Sequence, residues 1–479
     1  MKYSLRHITA LPLTALLLLC GCAGESYPGL TYDRVMSPDI INEESGKTGG
    51  RGIEIELYIA PDSFVMGSQP TRGLGPFIVP DTTRSDSNHY ESTKFHVFAF
   101  RASPDDYGPL TYLPDYRRRS NDPTDQKANC LIDNDADFHL GLPAHLDLNR
   151  SGRLHFLSKE KYGMVADSAV HYNVETGNVG YNFFAFNYDD FEPNEHNTRR
   201  DGEGICYNID IDGTRDLMYG SAPRITPEVL DYLITKDNLQ IEEEQRNNIL
   251  NNSYYTNYAA WYGVRPYVTL HHALTRLHFQ AFPADETCDS VTIESIAVEC
   301  RNKAHLWVVR PNTAQLGITF DDDREFVSLM DPFPSQHPDS IGKYNYVPLR
   351  AEGNTVSWDK SYGTDWKKNP PTPIGGDLLV STDSVYRMKL VYYQTLRNKD
   401  PRTGKNIISR NTAYYDLYAP TVKESFDNTL QRYMYLPGHT YHINIGVYGM
   451  RAIVVNTGME GWEEGEDLPP NEEEWETKW

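Results

Sequence analysis

Apolar and polar residues alternate along short stretches of this chain, and such stretches recur from one end to the other. Ile53, Ile55, Leu57 and Ile59 alternate with polar partners, the period-two pattern of a strand with one buried face. Similar runs follow at 94–100 (KFHVFAF), 180–186 (GYNFFAF), 267–282, 291–298, 306–309, 378–380, 385–393, 413–417, 440–448 and 452–455. Segments rich in Gly, Pro, Asn and Asp separate them. Many short strands punctuated by turn residues predict an all-β architecture of sandwiches.

One region has a different period. Thr226-Pro227-Glu228 sets a capping hydroxyl, a proline and an acid where a helix begins, and Val229, Leu230, Leu233 and Ile234 supply an apolar side. A second helical stretch, mostly polar, is predicted near 240–250, and an aromatic run over 254–262 follows it. This short helical insertion, 224–262, predicts a boundary between two β-sandwich domains, with the break near 263–266. The N-terminal domain then covers 51–263 and the C-terminal domain 264–462.

The two ends lack the strand pattern. Lys2 and Arg6 precede an apolar stretch over 10–19 and then Leu19-Cys20-Gly21-Cys22. Ten or so apolar residues cannot cross roughly 30 Å of hydrocarbon, so residues 1–21 read as a signal peptide. Leu-x-Gly-Cys resembles the lipobox at which bacterial lipoproteins are cleaved and acylated, which makes Cys22 the candidate lipidation site. Two or more acyl chains on that residue would anchor the protein stably, where one chain binds only marginally. Residues 22–50 read as a tether, and 463–479 as an acidic tail. Between 460 and 479 there are nine acids and one lysine, with Trp475 and Trp479 the last apolar residues.

Composition narrows the function. A length of 479 residues suits two or three domains. With 45 Lys and Arg against 67 Asp and Glu, the formal charge is −22, which argues against a nucleic-acid partner. A mean hydropathy of −0.58 excludes a multispanning membrane protein. Hydrophobic residues make up 39% of the chain, and its 33 tyrosines and 17 phenylalanines are too much apolar matter for a disordered chain.

Beyond the signal region stand Cys130, Cys206, Cys288 and Cys300, an even count that permits two disulfides in three connectivities. Cys288 and Cys300 flank a strand-like run and form a candidate local pair across neighbouring strands. No CxxC spacing marks a structural zinc site.

Motifs for catalysis and for cofactors are missing or incomplete. Ser45-Gly46-Lys47-Thr48 matches the end of a P-loop, but Ile41 stands where the first glycine belongs. Residues 158–161 fit S-x-x-K without its companion triplets. Asp133, Asp135 and Asp137 have the alternation of a calcium loop, yet Phe138 replaces its glycine and Ala144 its closing glutamate. His272 and His278 would sit about 20 Å apart on one strand face, too far for one metal, and read with His271 as satisfied imidazoles. The adjacent acids Asp189-Asp190 and 321–323 read as turn residues. The chain is therefore read as a non-enzyme without cofactors.

Several segments together resemble the fimbrillin family, the type V pilins of Bacteroidales. The run 267–279 (YVTLHHALTRLHF) is similar to the strand that opens the family's second domain. The run 435–448 (YLPGHTYHINIGVY) followed by Gly461-Trp462-Glu463-Glu464-Gly465 resembles its closing hairpin. Pro437-Gly438 supplies the turn, and Tyr441, Ile443, Ile445 and Val447 share one strand face. Runs 94–100, 180–186 and 212–222 are similar to first-domain segments.

The resemblance implies two transthyretin-like β-sandwich domains and a lipid-anchored location at the cell surface on the outer membrane. It also implies assembly with other pilin subunits by β-strand complementation, after an arginine-specific protease removes the first strand. Arg51, after Gly49-Gly50 and before the first strand, is the candidate processing site, with Arg34, Arg72 and Arg84 as rivals. The insertion and the acidic tail depart from a repeating stalk subunit. A donor strand carrying glutamates would bury unpaired charge. A tip, anchor or accessory subunit, structural or adhesive, with a host protein or glycan as receptor, is the reading that follows. The alternative is a surface glycan-binding lipoprotein in which Tyr254, Tyr255, Tyr258, Trp261 and Tyr262 form an aromatic platform. Interface packing is the other reading of that cluster.

Overall fold

A computed structural model describes residues 52–59, 94–102, 130–132, 141–146, 153–156, 170–172, 180–188, 191, 194, 196–201, 203–283, 288–334, 344–357, 371–447 and 453–461. The fold is all-β with three helices among these residues. Its largest sheet has eight strands in the order β3 (Cys130–Ile132), β2 (Lys94–Arg101), β4 (Leu142–Leu146), β5 (Arg153–Phe156), β1 (Leu57–Ile59), β10 (Tyr267–His272), β9 (Leu217–Ser221) and β6 (Tyr181–Tyr188). Because β2 also pairs with β6, the path of pairings closes on itself.

This closed sheet has a core on each face. Phe95, Val97 and Ala99 of β2 and Phe183 and Ala185 of β6 enter one core, while Phe98, Phe100, Phe184 and Phe186 enter the other. That explains the unbroken apolar run in 180–186: a strand covered on both faces has no polar side to alternate with. The second face is covered by a four-stranded sheet in the order β14 (Gly317–Phe320), β13 (Lys303–Val309), β8 (Gly204–Asp210) and β7 (Thr198–Asp201).

The first face receives the helices, α1 (Pro227–Asp237), α2 (Glu243–Asn252) and α3 (Asn257–Trp261). They start where local chemistry predicts. The Thr226 hydroxyl accepts from the Val229 amide at 3.3 Å, and Glu242 and Gln245 close a capping box around α2. Val229, Leu230 and Leu233 of α1 are buried in the core, whereas α2 buries Ile249 alone and is tied to α1 by an Arg246–Asp231 ion pair.

The second sandwich faces two sheets across a shared core. One contains β19 (Thr372–Pro373), β11 (Thr275–Pro283), β25 (His439–Val447) and β26 (Ile453–Gly461), with β20 (Leu378–Val380) also on β11. The other contains β15 (Arg324–Ser328), β12 (Cys288–Arg301), β21 (Val385–Lys399) and β22 (Asn406–Tyr418), with β18 (Thr355–Ser357) also on β12. Leu277, Phe279, Ile443 and Ile445 from the first meet Ile293, Val298, Met388 and Leu390 from the second. Two ribbons, β16 (Met330–Pro334) with β17 (Tyr344–Pro348) and β23 (Phe426–Asp427) with β24 (Arg432–Tyr433), complete the fold. The turn at Pro437-Gly438 precedes β25 as predicted, with Gly438 at φ 70°.

Two expectations change. The run 267–282 is two strands, not one: β10 joins the first sheet, and β11 joins the second sandwich, pairing with β25 in parallel. Between them Ala273 and Leu274 are buried in the core shared with β8 and β13. The expected break near 263–266 is therefore not a break in hydrogen bonding, since β10 lies beyond it and still belongs to the first sheet. The halves are also joined by β13, which pairs with β8 from Lys303↔Asp210 to Val309↔Ile205.

Candidate functional site

The first described segment, 52–59, is threaded into the largest sheet by contacts on both sides. The Ile55 amide donates to the Val170 carbonyl at 2.7 Å, and the Tyr172 amide donates to the Ile53 carbonyl at 3.0 Å. The Tyr58 amide donates to the Pro266 carbonyl at 3.0 Å. β1 then runs parallel to β10, with Tyr58 opposite Tyr267, and antiparallel to β5, with Leu57 opposite Leu154. Ile55, Leu57 and Ile59 are 2%, 0% and 5% exposed and lie in the core beneath the helices. Alternation in the sequence located these three side chains correctly.

Burying each contributes roughly 1.5–3 kcal/mol, so the three together contribute roughly 5–9 kcal/mol. A whole domain is commonly stable by about 5–15 kcal/mol. Removing this strand without replacing it would therefore cost a large share of a margin of that size.

The polar edge of the segment is held less firmly. Arg153 reaches Glu54 at 3.2 Å and Glu56 at 3.8 Å, and Arg265 reaches Glu56 at 2.5 Å, all partly exposed pairs that contribute little each. The Tyr58 and Tyr267 rings stack at 5.0 Å. Burial, then the Glu56 carboxylate, push the Tyr58 phenol up, and burial with Asp237 pushes Tyr267 up, so both stay neutral donors. Tyr58 donates to Glu56 at 3.2 Å and Tyr267 to Asp237 at 2.9 Å. Asn257, at the start of α3, accepts from the Ile53 amide at 2.8 Å. Tyr172, Asn257 and Arg153 were not foreseen as partners of the first strand. Each is about a hundred residues or more away from it, and no local pattern connects them.

The other sequence-derived sites fall out as follows. Cys22 and Arg51 lie outside the described residues, as do Ser45–Thr48, 133–138, 158–161 and Asp189-Asp190. The aromatic platform is corrected. Tyr254, Tyr255 and Tyr258 are buried, and only Trp261 and Tyr262 are half-buried, so the five cannot present a common face to a sugar ring. Tyr255 packs edge-on against Phe183 at 5.9 Å, Tyr258 against Tyr262 at 5.1 Å, and the Arg224 guanidinium lies 4.7 Å from the Tyr254 ring. Tyr255 and Tyr258 belong to the core between the helices and the largest sheet.

The Cys288–Cys300 pair is corrected too. Both belong to the single strand β12, one at each end, about 40 Å apart at 3.3 Å per residue, whereas a disulfide needs Cα atoms within about 7 Å. Cys206 and Cys300 are free and buried, and burial pushes their thiols up to about 11 and about 12.

The histidines have separate partners. His272 meets Asp216 at 2.7 Å, and His278 meets Asp377 at 2.9 Å with its ring 5.3 Å from that of His442. Among the described residues no three His, Cys, Asp or Glu side chains are grouped to hold a metal ion.

No family model and no curated protein matches the chain. Solved structures similar to it over most of its length include a fimbrial protein from Bacteroides vulgatus, at 10% identity and a TM-score of 0.41, covering 86% of this chain and 99% of that one. They also include the fimbrial anchor protein Mfa2 from Porphyromonas gingivalis, at 10% identity and a TM-score of 0.28, covering 85% of this chain and 97% of that one. About one position in ten is shared with either of them.

Proposed function

We propose that this chain is a fimbrillin-like cell-surface lipoprotein, a structural or adhesive pilus component that joins neighbouring subunits by exchange of its first strand. The observation that supports the reading is the seating of residues 52–59: a short strand near the chain start, paired on both sides, whose three buried side chains fill part of the core. Once vacated, such a slot offers open backbone groups on β5 and β10 and an apolar floor, the features by which a strand from another chain is captured. The Leu-x-Gly-Cys sequence at Cys22 supports an outer-membrane anchor. The acidic stretch after residue 460 supports a tip, anchor or accessory position over the stalk.

Within this proposal the position of the cut decides which arginine matters. A cut after Arg51 removes the tether and leaves residues 52–59 attached to the rest of the chain. A cut after Arg72 or Arg84, both between β1 and β2 in sequence, severs β1 from everything that follows. Cutting at either of these two positions is the event that strand exchange requires.

The test is digestion of the full chain with an arginine-specific protease, followed by N-terminal sequencing and electrophoresis in SDS without boiling. Strand exchange gives SDS-resistant oligomers whose N-termini lie beyond Ile59. Material that is cut between β1 and β2 and remains monomeric overturns the proposal. Long regular ladders of this chain alone would replace the tip or anchor role with a stalk role.

A further inference from the structure

The β21–β22 hairpin has a basic and apolar patch at its tip, on a chain whose formal charge is −22. Lys399, Arg402 and Lys405 stand on or beside the turn, all exposed, and none has an ion-pair partner among the described residues. Asp400, the acid between them, is committed to the turn itself: its carboxylate accepts from the Arg402 amide at 2.8 Å and from the Thr403 hydroxyl at 3.0 Å. Arg410, further along β22, is held by both oxygens of Glu294 at 2.6 and 2.9 Å and adds no free charge. Beside the turn Ile407 and Ile408 are 36% and 63% exposed. β22 is also the last strand of its sheet, with one backbone edge unpaired among the described residues and with Tyr414 and Tyr418 exposed. An open edge of 13 residues is a template for a strand of another chain unless something covers it.

Charge, position and reach select the occupant. The acidic end of this same chain, with nine acids and one lysine over 460–479, complements a cationic patch, and its Trp475 and Trp479 complement two exposed isoleucines. The last described residue before it, Gly461, pairs with His439. The stretch leading into His439 touches the base of the hairpin, since the Tyr435 hydroxyl donates to the Tyr418 carbonyl at 2.9 Å. From Tyr418 to the tip β22 runs about 43 Å at 3.3 Å per residue, and residues 462–474 span the same distance when extended. Glu472, Glu473 and Glu474 can therefore reach Lys399, Arg402 and Lys405. Pro469-Pro470 keeps the segment from adding to the sheet as a regular strand. On an exposed edge its carboxylates stay in water, without the burial that a closed groove would impose. We propose that residues 472–479 dock within the same chain on the tip of the β21–β22 hairpin, carboxylates on Lys399, Arg402 and Lys405 and tryptophans on Ile407 and Ile408, so that residues 462–471 screen the open edge of β22. This inference does not depend on exchange of the first strand, since it concerns the other sandwich and a contact within one chain.

The test is zero-length carbodiimide coupling on the full chain, which joins a lysine amine to a carboxylate only where the two are in contact. It is run on a mixture of ordinary and 15N-labelled protein and mapped by mass spectrometry. Linked peptides should join Lys399 or Lys405 to Glu472, Glu473, Glu474 or Glu476, with a single isotope throughout each. Their yield should fall by roughly fivefold or more in 1 M salt, where charges are screened beyond about 3 Å, and by a similar factor in Arg402→Glu at low salt. Arg402 is exposed, so the thermal midpoint of that variant stays at that of the parent. The proposal is overturned if no such peptides form, if their yield is unchanged in Arg402→Glu, or if the acidic segment couples equally to Lys303 on the four-stranded sheet. Linked peptides of mixed isotope would overturn it as well, since they would put the segment of a second copy on the tip.

Discussion

Tyr172 places its hydroxyl in the first core with no hydrogen-bond partner among the described residues, while its backbone serves the first strand. A buried, unpaired hydroxyl costs about 1–3 kcal/mol, and removing it leaves the ring contacts to Tyr181 and Phe183 in place. Tyr172→Phe is accordingly expected to raise stability by about 1 kcal/mol in urea unfolding, and a fall would show that the hydroxyl is satisfied. Asp377 provides a second residue-level test. Burial alone would push its carboxyl up, but the hydrogen bond from His278 and the charges of Arg276, His278 and His442 together hold it below its usual 3.8. A carboxylate depressed in the folded state stabilises above its unfolded value, and that contribution is lost as pH falls through the folded value. The stability gap between the parent and Asp377→Asn should thus be open above pH 3.8 and close as pH falls below it, as followed by thermal melts. A gap independent of pH would mean that shape, not charge, is what Asp377 contributes.

At the scale of elements, the inserted first segment depends on fit as well as on apolar burial. A Cβ on Gly52 would stand 1.9 Å from the Tyr172 carbonyl oxygen, so any side chain there pushes the segment away from residues 170–172. Gly52→Val is expected to raise hydrogen exchange across 53–59 while the second sandwich keeps its protection. Leu57→Ala, which empties part of the core, should cost about 2–5 kcal/mol. If neither variant loosens the segment, its seating does not depend on the fit and burial that an incoming strand would have to reproduce. Elements with local causes were legible in the sequence. The cap at Thr226 and the alternation in β1 and β25 depend on neighbours a few residues away. What was not legible depends on distant partners. Nothing in 267–282 marks the sheet change at Ala273-Leu274, which is set by the packing of β8 and β13. Nor does the run 254–262 reveal that three of its tyrosine rings turn inward. The contact of Asn208 with His305 eluded the sequence for the same reason, since the two meet only because β8 pairs with β13.

For the whole molecule, that pairing is the main structural link. Leu306 and Val308 of β13 come from the second half of the chain, yet they are buried with Phe184 and Phe186 of the first. Two halves that share a sheet and a core should unfold together, so calorimetry is expected to give one transition. Leu306→Ala should lower its midpoint as a single peak. Two resolved peaks would show that the β8–β13 contact is too weak to couple them. The pairing of β1 with β10 carries a further consequence, in time and not in space. Tyr58 leaves the ribosome more than two hundred residues ahead of Tyr267, its partner in the sheet. Contacts between residues so far apart in sequence close slowly and late, after the rest of the sheet has local partners to fold on. Late docking of this strand is the expected order, and it leaves the slot empty for a stage of folding. A donor strand from another molecule would enter a state that the chain already visits on its own way to the folded form.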